Sequence, residues 1–368
     1  MNAALDALDR QHMALALRLA ERGLYTTQPN PRVGCVIAQG ADVVGSGWHR
    51  RAGGLHAEVF ALREAAGRAR GATAYVTLEP CAHHGRTPPC ADALIAAGVV
   101  RVVAAIEDPF PQVSGEGFAR LRAAGIAVET GLLRDAAFEI NRGFFSRIQR
   151  GRPWLRLKLA QSLDGRTALH NGVSQWITGA AARADVQRWR ARSSAILTAA
   201  GTACADNPRL SVRLDDAADF APPLRIVLDA RLDALAPGCH LLDGTLPTLV
   251  VHGDTVPPPP AQAGIEYLAQ PLQQGRIDLP PLLQELGRRG IAELQVEAGP
   301  GLGGALFAAG LVDELLLYIA PLLLGDAALP LLQLPTLSDM AGRWPLRVVE
   351  QRQLGDDWRL LLRQASAV

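Results

Sequence analysis

Three short stretches carry side chains that bind metals or move protons: His56-Ala57-Glu58, Pro80-Cys81 and Cys90. One imidazole and two thiolates suit zinc, and three protein ligands leave a fourth position for water. The metal lowers that water's pKa to about 7, and the two thiolates cancel the dication's charge. Glu58 reads as a catalytic proton carrier, not a ligand: it takes the water's proton and hands it to a leaving amine, as in zinc deaminases of nucleobase rings. His-x-Glu alone is common, and any one of these cysteines alone fits a buried core residue; the ordered combination is what points to a site. Its spacing departs from the Pro-Cys-x-x-Cys pattern, since eight residues (82–89) lie between Cys81 and Cys90 and must fold over the site.

These residues need particular elements to bring them together. Positions two apart on a regular helix diverge by about 200°, so His56 and Glu58 share a site most easily if His56 sits at a helix start. The periodicity of 57–69 predicts that helix, and the apolar run 72–80 predicts a buried strand leading to Cys81. Cys90 opens a further helix over 91–98, closed by Gly98, and a helix N-terminus favours a thiolate. A hairpin over 33–39 and 42–48, strands over 99–106 and 126–131 and a helix over 117–125 complete the first half. This alternation predicts an α/β domain with a largely parallel sheet covered on both faces. The opening 23 residues predict an amphipathic helix, interrupted by Asp6, Asp9, Arg10 and Arg18 and so unlike a signal peptide.

The basic stretch 142–154 breaks at Gly151 and Pro153, which places a boundary near 147–151 and domains over 1–148 and 152–368. A second alternation follows, with strands expected at 154–160, 194–199, 224–230, 248–253, 293–299 and 313–321, a helix over 183–192, and loops at 214–223 and 255–264. The 368 residues suit two domains, and 49% hydrophobic with 20% charged residues is ordinary globular composition. A net charge of +1 argues against a dedicated nucleic-acid binder. Five cysteines in so long a chain do not make a disulfide framework, and no run reaches the ~18 apolar residues of a membrane span. The expectation is a cytoplasmic enzyme acting on a small molecule, with no nucleic acid or membrane as partner.

The stretches TTQPNPRVGCVI, HAEVFAL and VTLEPCAHHGRTPPC closely resemble the amino-terminal half of the bifunctional riboflavin-biosynthesis deaminase–reductases. LKLAQSLDGRTA, GVSQWITG, ADNPRLSVR and VEAGPGLGGAL resemble the carboxyl-terminal half, so the likeness spans nearly the whole chain. It implies a three-layer cytidine-deaminase-like domain followed by a dihydrofolate-reductase-like α/β domain. It further implies one zinc ion per chain, NADPH as cofactor, a phosphorylated pyrimidine as substrate, and a homo-oligomer, dimer or tetramer. The family's zinc ligands fall on His56, Cys81 and Cys90, and its glutamate on Glu58. Asn30 resembles the residue that binds the pyrimidine, although an Asn before proline is also a turn former. His49 and His83 are candidates for contact with substrate, or are plain loop histidines; His84 and His170 read as surface.

The strongest local feature of the second half is Gly299-Pro300-Gly301-Leu302-Gly303-Gly304, between an expected strand and helix, where bare N–H groups can meet phosphate. It is not a true G-x-G-x-x-G and fits a structural turn equally well. The resemblance places cofactor contacts on Ala160, Trp176, Thr202, Asp206 and the run 299–305, which ends at Ala305. It places substrate contacts on Ser174, Arg190, Leu210, Arg213 and Glu297. Arg190 and Arg213 suit phosphate as bidentate donors, or are solvated arginines; Asp206 could cap a turn, and Trp176 could simply pack. Lys158, mid-strand among apolar residues, points to a functional or ion-paired substrate-binding role. Cys35, Cys204 and Cys239 read as core or surface. Two other readings stay open: a tRNA or cytidine deaminase fused to an unrelated domain, and a non-catalytic zinc scaffold.

Overall fold

The computed structural model describes residues 5–82, 89–111, 114–214, 219–235 and 238–365. The chain divides into two compact units: the first runs through Gly151 and includes the short 219–221 segment, and the second begins at Arg152. Among the described residues no helix is long and apolar enough to cross a membrane.

The first unit has a five-stranded sheet in the order β2 (Asp42–Trp48), β1 (Gly34–Gln39), β3 (Thr73–Val76), β4 (Arg101–Ala104), β5 (Ala127–Thr130). The sheet is mixed, not largely parallel: β1 runs antiparallel to β2 and β3, and only β3, β4 and β5 are mutually parallel. The two-residue turn Gly40-Ala41, with Gly40 at φ +59°, closes the expected β1–β2 hairpin, and the antiparallel pairing of β1 with β3 is what departs from the parallel expectation.

Alternation along the strands sends side chains to two faces. Cys35, Ile37, Ala74, Val76 and Val102 pack against α2 (Ala57–Ala65), α3 (Cys90–Ala97) and α4 (Glu116–Ala123). Val36, Ala38, Tyr75 and Val103 pack against α1 (Ala7–Glu21) and α5 (Arg134–Arg150), giving three layers. Asp6 and Asp9, which looked like interruptions of the first helix, form its capping box. Asp9 also accepts from Tyr75 Oη at 2.7 Å and from Arg101 at 2.6 and 2.8 Å, fastening α1 to the sheet. The long helix α5, ending at Gly151 in the left-handed region, takes in residues 142–150 of the basic boundary stretch together with 134–141, for which the sequence predicts no element.

The second unit is built on a nine-stranded sheet. Its order is Ile265–Gln270, Thr248–Gly253, Leu224–Leu228, Ala195–Ala199, Glu293–Val296, Trp154–Ser162, Glu314–Ala320, Asp357–Gln364, Leu346–Leu354. The first seven are parallel, and the last two form an antiparallel hairpin on one edge. Leu155, Leu157, Leu197, Ile226 and Leu294 meet Leu282, Leu283, Leu286, Leu306 and Phe307 from the helices Leu279–Arg288 and Pro300–Ala308. The other face carries two smaller clusters, around Ile196, Val227 and Val250 and around Ala182, Val186 and Tyr318.

Candidate active sites

In the first unit, small residues let α2 approach the sheet where chemistry requires it. A Cβ at Gly47 would lie 2.4 Å from the Ala57 carbonyl oxygen, and one at Gly45 2.2 Å from that of Ala61. The buried alanines 57, 61 and 65 form the facing side of the helix. This seats the N-terminus of α2 beside the end of β2, with His56 at its N-cap in extended conformation (φ −76°, ψ 161°) and Glu58 in its first turn. The half-helical start turns both side chains to one place.

Cys81 follows β3, and Cys90 is the first residue of α3. The Cys90 N–H points at Cys81 Sγ, 3.3 Å away, and the Ala91 N–H donates to the Cys81 carbonyl at 3.1 Å. His56 Nδ1 lies 3.2 Å from Cys90 Sγ and 3.6 Å from Cys81 Sγ, and all three ligand atoms fall within 4.8 Å of one another. Tetrahedral zinc at ordinary Zn–N and Zn–S bond lengths needs ligand atoms about 3.6–3.8 Å apart, and the two imidazole-to-sulfur distances lie within a few tenths of an ångström of that, so the trio suits the metal.

Hydrogen bonds from Cys90 and His56 pull the Cys81 pKa down to about 4, whereas the Cys81 sulfur and burial hold Cys90 protonated. The hydrogen bond to Cys81 raises His56. Burial raises Glu58, against the opposing charge of His56. His49 and Asn30 join this group: the Asn30 amide donates to His49 Nε2 at 3.3 Å, and His49 Nδ1 donates to the Leu55 carbonyl at 2.9 Å. Burial lowers His49's pKa, consistent with a neutral ring, and that ring stands edge-on to His56 at 5.8 Å between centroids. His83 and His84 lie outside the described residues. Cys35 is buried in the core, Cys204 is exposed and Cys239 half-buried, and His170 is exposed.

In the second unit the candidates gather at the carboxyl ends of parallel strands, the usual ligand crevice of such sheets. Arg190 and Glu297 form a bidentate pair at 2.7 and 2.8 Å; Arg190 also donates to the Ser211 carbonyl and Gln295 to Glu297. Arg190 is therefore a buried, paired residue, and neither a solvated arginine nor an unengaged phosphate clamp. Arg190 and Lys158 pull Glu297's pKa down to about 2 against the effect of burial. Loss of hydration lowers Lys158, which feels Glu297, Arg190 and Asp206. Burial raises Asp206 against the opposing pull of the Ser174 hydroxyl and the Lys158 charge. Loss of hydration, then Arg190's charge, lowers the exposed Arg213. Ala160 lies two residues along the strand from Lys158, on the same face.

Thr202 Oγ1 accepts from the Gly299 N–H at 3.1 Å, joining two candidate cofactor segments. The glycine run divides by role. Gly299 is the helix N-cap and Pro300 the first helical residue; Gly301, Leu302 and Ala305 are half-buried. Gly303 and Gly304 are buried, and a Cβ on Gly304 would lie 2.0 Å from the Gln333 carbonyl oxygen. At those two positions the lack of a side chain allows close packing of the 332–333 segment. The Leu210 side chain packs into the core with Ile196 and Val227. Trp176 is 67% exposed, with the Arg183 guanidinium 4.7 Å from its ring centroid.

The model for the cytidine and deoxycytidylate deaminase zinc-binding region matches residues 6–106, and that for the RibD C-terminal domain matches 153–360. The chain is 49% identical to the riboflavin biosynthesis protein RibD of Escherichia coli strain K12, over 95% of this chain and 97% of that one. The chain belongs to the RibD family. Haemophilus influenzae RibD is 47% identical, over 95% of each chain. The solved Acinetobacter baumannii RibD, form 1, superposes with a TM-score of 0.90 at 43% identity, covering 98% of this chain and 99% of that one. A Thermotoga maritima structure, described as a diaminohydroxyphosphoribosylaminopyrimidine deaminase/5-amino-6-(5-phosphoribosylamino)uracil reductase, gives 0.86 at 31%, covering 97% and 99%. Like its RibD relatives, the chain joins a deaminase-like N-terminal domain to a reductase-like C-terminal one, with zinc and NADPH as the fitting cofactors. The RibD match over 153–360 removes the alternative of an unrelated second domain.

Sequence reasoning missed Glu79 and Gln295. Glu79 accepts four backbone N–H groups, and Gln295 holds Glu297. The only signal for Glu79 was an acid inside an otherwise apolar strand run.

Proposed function

We propose that the chain removes an amino group from 2,5-diamino-6-(5-phosphoribosylamino)pyrimidin-4(3H)-one in its first domain. The second domain then reduces the ribose of 5-amino-6-(5-phosphoribosylamino)uracil to the ribityl product. The observation that carries this reading is the convergence of His56, Cys81 and Cys90 within 4.8 Å beside the buried Glu58. These three residues are the zinc ligands, and zinc bound there lowers the pKa of a water to about 7. Glu58 takes up and returns the protons, its carboxyl tuned upward by burial. Asn30 and the neutral His49 orient the pyrimidine.

In the second domain, NADPH supplies hydride when bound. Thr202, Asp206, Ala160, Trp176 and the Gly299–Ala305 segment hold it. Ser174, Arg190, Leu210, Arg213 and Glu297 hold the ribotide, with Glu297 and Gln295 fixing the Arg190 guanidinium. Lys158, within the electrostatic reach of Glu297, Arg190 and Asp206, binds the ribotide beside them. A small phosphorylated pyrimidine and a cytoplasmic setting go with this reading. The test is to give the zinc-loaded protein the diaminopyrimidine ribotide and NADPH. Ammonia release followed by NADPH oxidation is expected; no turnover of either kind overturns the proposal.

A further inference from the structure

Glu79 lies one proline away from Cys81, and its side chain does no chemistry in the reading above. Its carboxylate is buried and accepts four backbone N–H groups: Asp108 at 3.2 Å and Gly115 at 3.1 Å on Oε2, Gly117 at 2.9 Å and Phe118 at 3.4 Å on Oε1. The Glu79 N–H itself donates to the Ile106 carbonyl at 3.0 Å. The contact is close as well as polar, because a Cβ on Gly117 would lie 2.0 Å from the Pro80 carbonyl oxygen. Glu79 thus anchors the Pro80-Cys81 backbone to the end of β4 and the start of α4. Pro80 fixes one of the few torsions between anchor and ligand, so little freedom remains for Cys81 to drift.

We infer that Glu79 is a positioning residue for the proposed zinc ligand Cys81, acting through the Pro80-Cys81 backbone. This rests on reading His56, Cys81 and Cys90 as the zinc ligands. A neutral amide is nearly the same size but turns two donors toward N–H groups that need acceptors. Losing a supporting partner of a metal ligand weakens metal affinity by about 10–100-fold.

The experiment is chelator competition for zinc on the full-length protein and its Glu79→Gln and Glu79→Asp variants, with NADPH oxidation on the preformed aminouracil ribotide as internal control. Glu79→Gln is expected to weaken zinc binding at least tenfold, Glu79→Asp by less, and reduction to stay within twofold of wild type. Zinc affinity within twofold of wild type in Glu79→Gln overturns the inference while leaving the ligand assignment intact. Wild-type protein that binds no zinc overturns the assignment itself. Should the variants not fold, hydrogen exchange of the wild type decides. Zinc should slow exchange at the Gly115, Gly117 and Phe118 amides, and unchanged protection there overturns the positioning role.

Discussion

Burial lets Glu58 hold a proton nearer neutral pH than an exposed carboxyl does. Glu58→Gln keeps the shape and removes the proton, so ammonia release should fall about 10²–10⁴-fold with zinc content, measured by metal analysis, unchanged. Loss of zinc together with activity would make Glu58 a structural residue instead. The same cluster sets a pH dependence for metal uptake. Without metal, Cys81 is the thiolate, Cys90 keeps its proton and His56 is raised by its bond to Cys81. Zinc must displace the Cys90 proton throughout the neutral range and that of His56 below its raised pKa. Affinity should therefore rise with pH, by about tenfold per pH unit where one proton leaves and more steeply below, as chelator competition across a pH series will read. These residues were legible because type and order alone define a zinc set. Glu79 was not, because its partners are backbone groups 29 to 39 residues further along the chain, and no side-chain pattern records them.

Elements with strong periodicity were legible in the same way: the helix starts at His56 and Cys90, the Gly98 stop, and most parallel strands of the second unit. What escaped were elements whose pattern does not announce burial. Leu346–Leu354 is almost wholly exposed along its length and is held to Asp357–Gln364 by backbone pairing and a Glu350–Arg359 ion pair. The direction of β1 beside β3 escaped too: the hairpin with β2 was legible, but alternation of strands and helices does not say that β1 runs antiparallel to β3. Close approach of α2 to β2 is an element-scale property with a direct test. Gly47→Ala puts a methyl group 2.4 Å from the Ala57 carbonyl and 2.6 Å from Phe60 Cβ, so α2 must shift at the end that bears His56 and Glu58. Overpacking of this kind costs about 1–3 kcal/mol, and both melting temperature and zinc content should drop. Gly67→Ala, where a Cβ meets nothing within 4 Å, is the matched control and should leave both unchanged.

At the scale of the whole molecule, each unit has its own sheet and its own apolar clusters, and the two candidate sites draw on separate sets of residues. Among the described residues, the one His/Cys/Asp/Glu group with metal-binding geometry lies in the first unit. A bound metal stabilises only the fold that contains its site, by about 4 kcal/mol at a thousandfold excess over its dissociation constant. Stripping zinc with a chelator should therefore abolish ammonia release and lower the melting transition of the first unit. NADPH oxidation on preformed 5-amino-6-(5-phosphoribosylamino)uracil should continue at its original rate, and added zinc should restore the deaminase step. The Arg190–Glu297 pair and Lys158 need no metal to hold their arrangement, so the reductase site has no physical reason to respond. If reduction of the preformed intermediate also stopped on chelation and returned with zinc, the metal would be supporting both halves, and the separation of the two sites would be wrong.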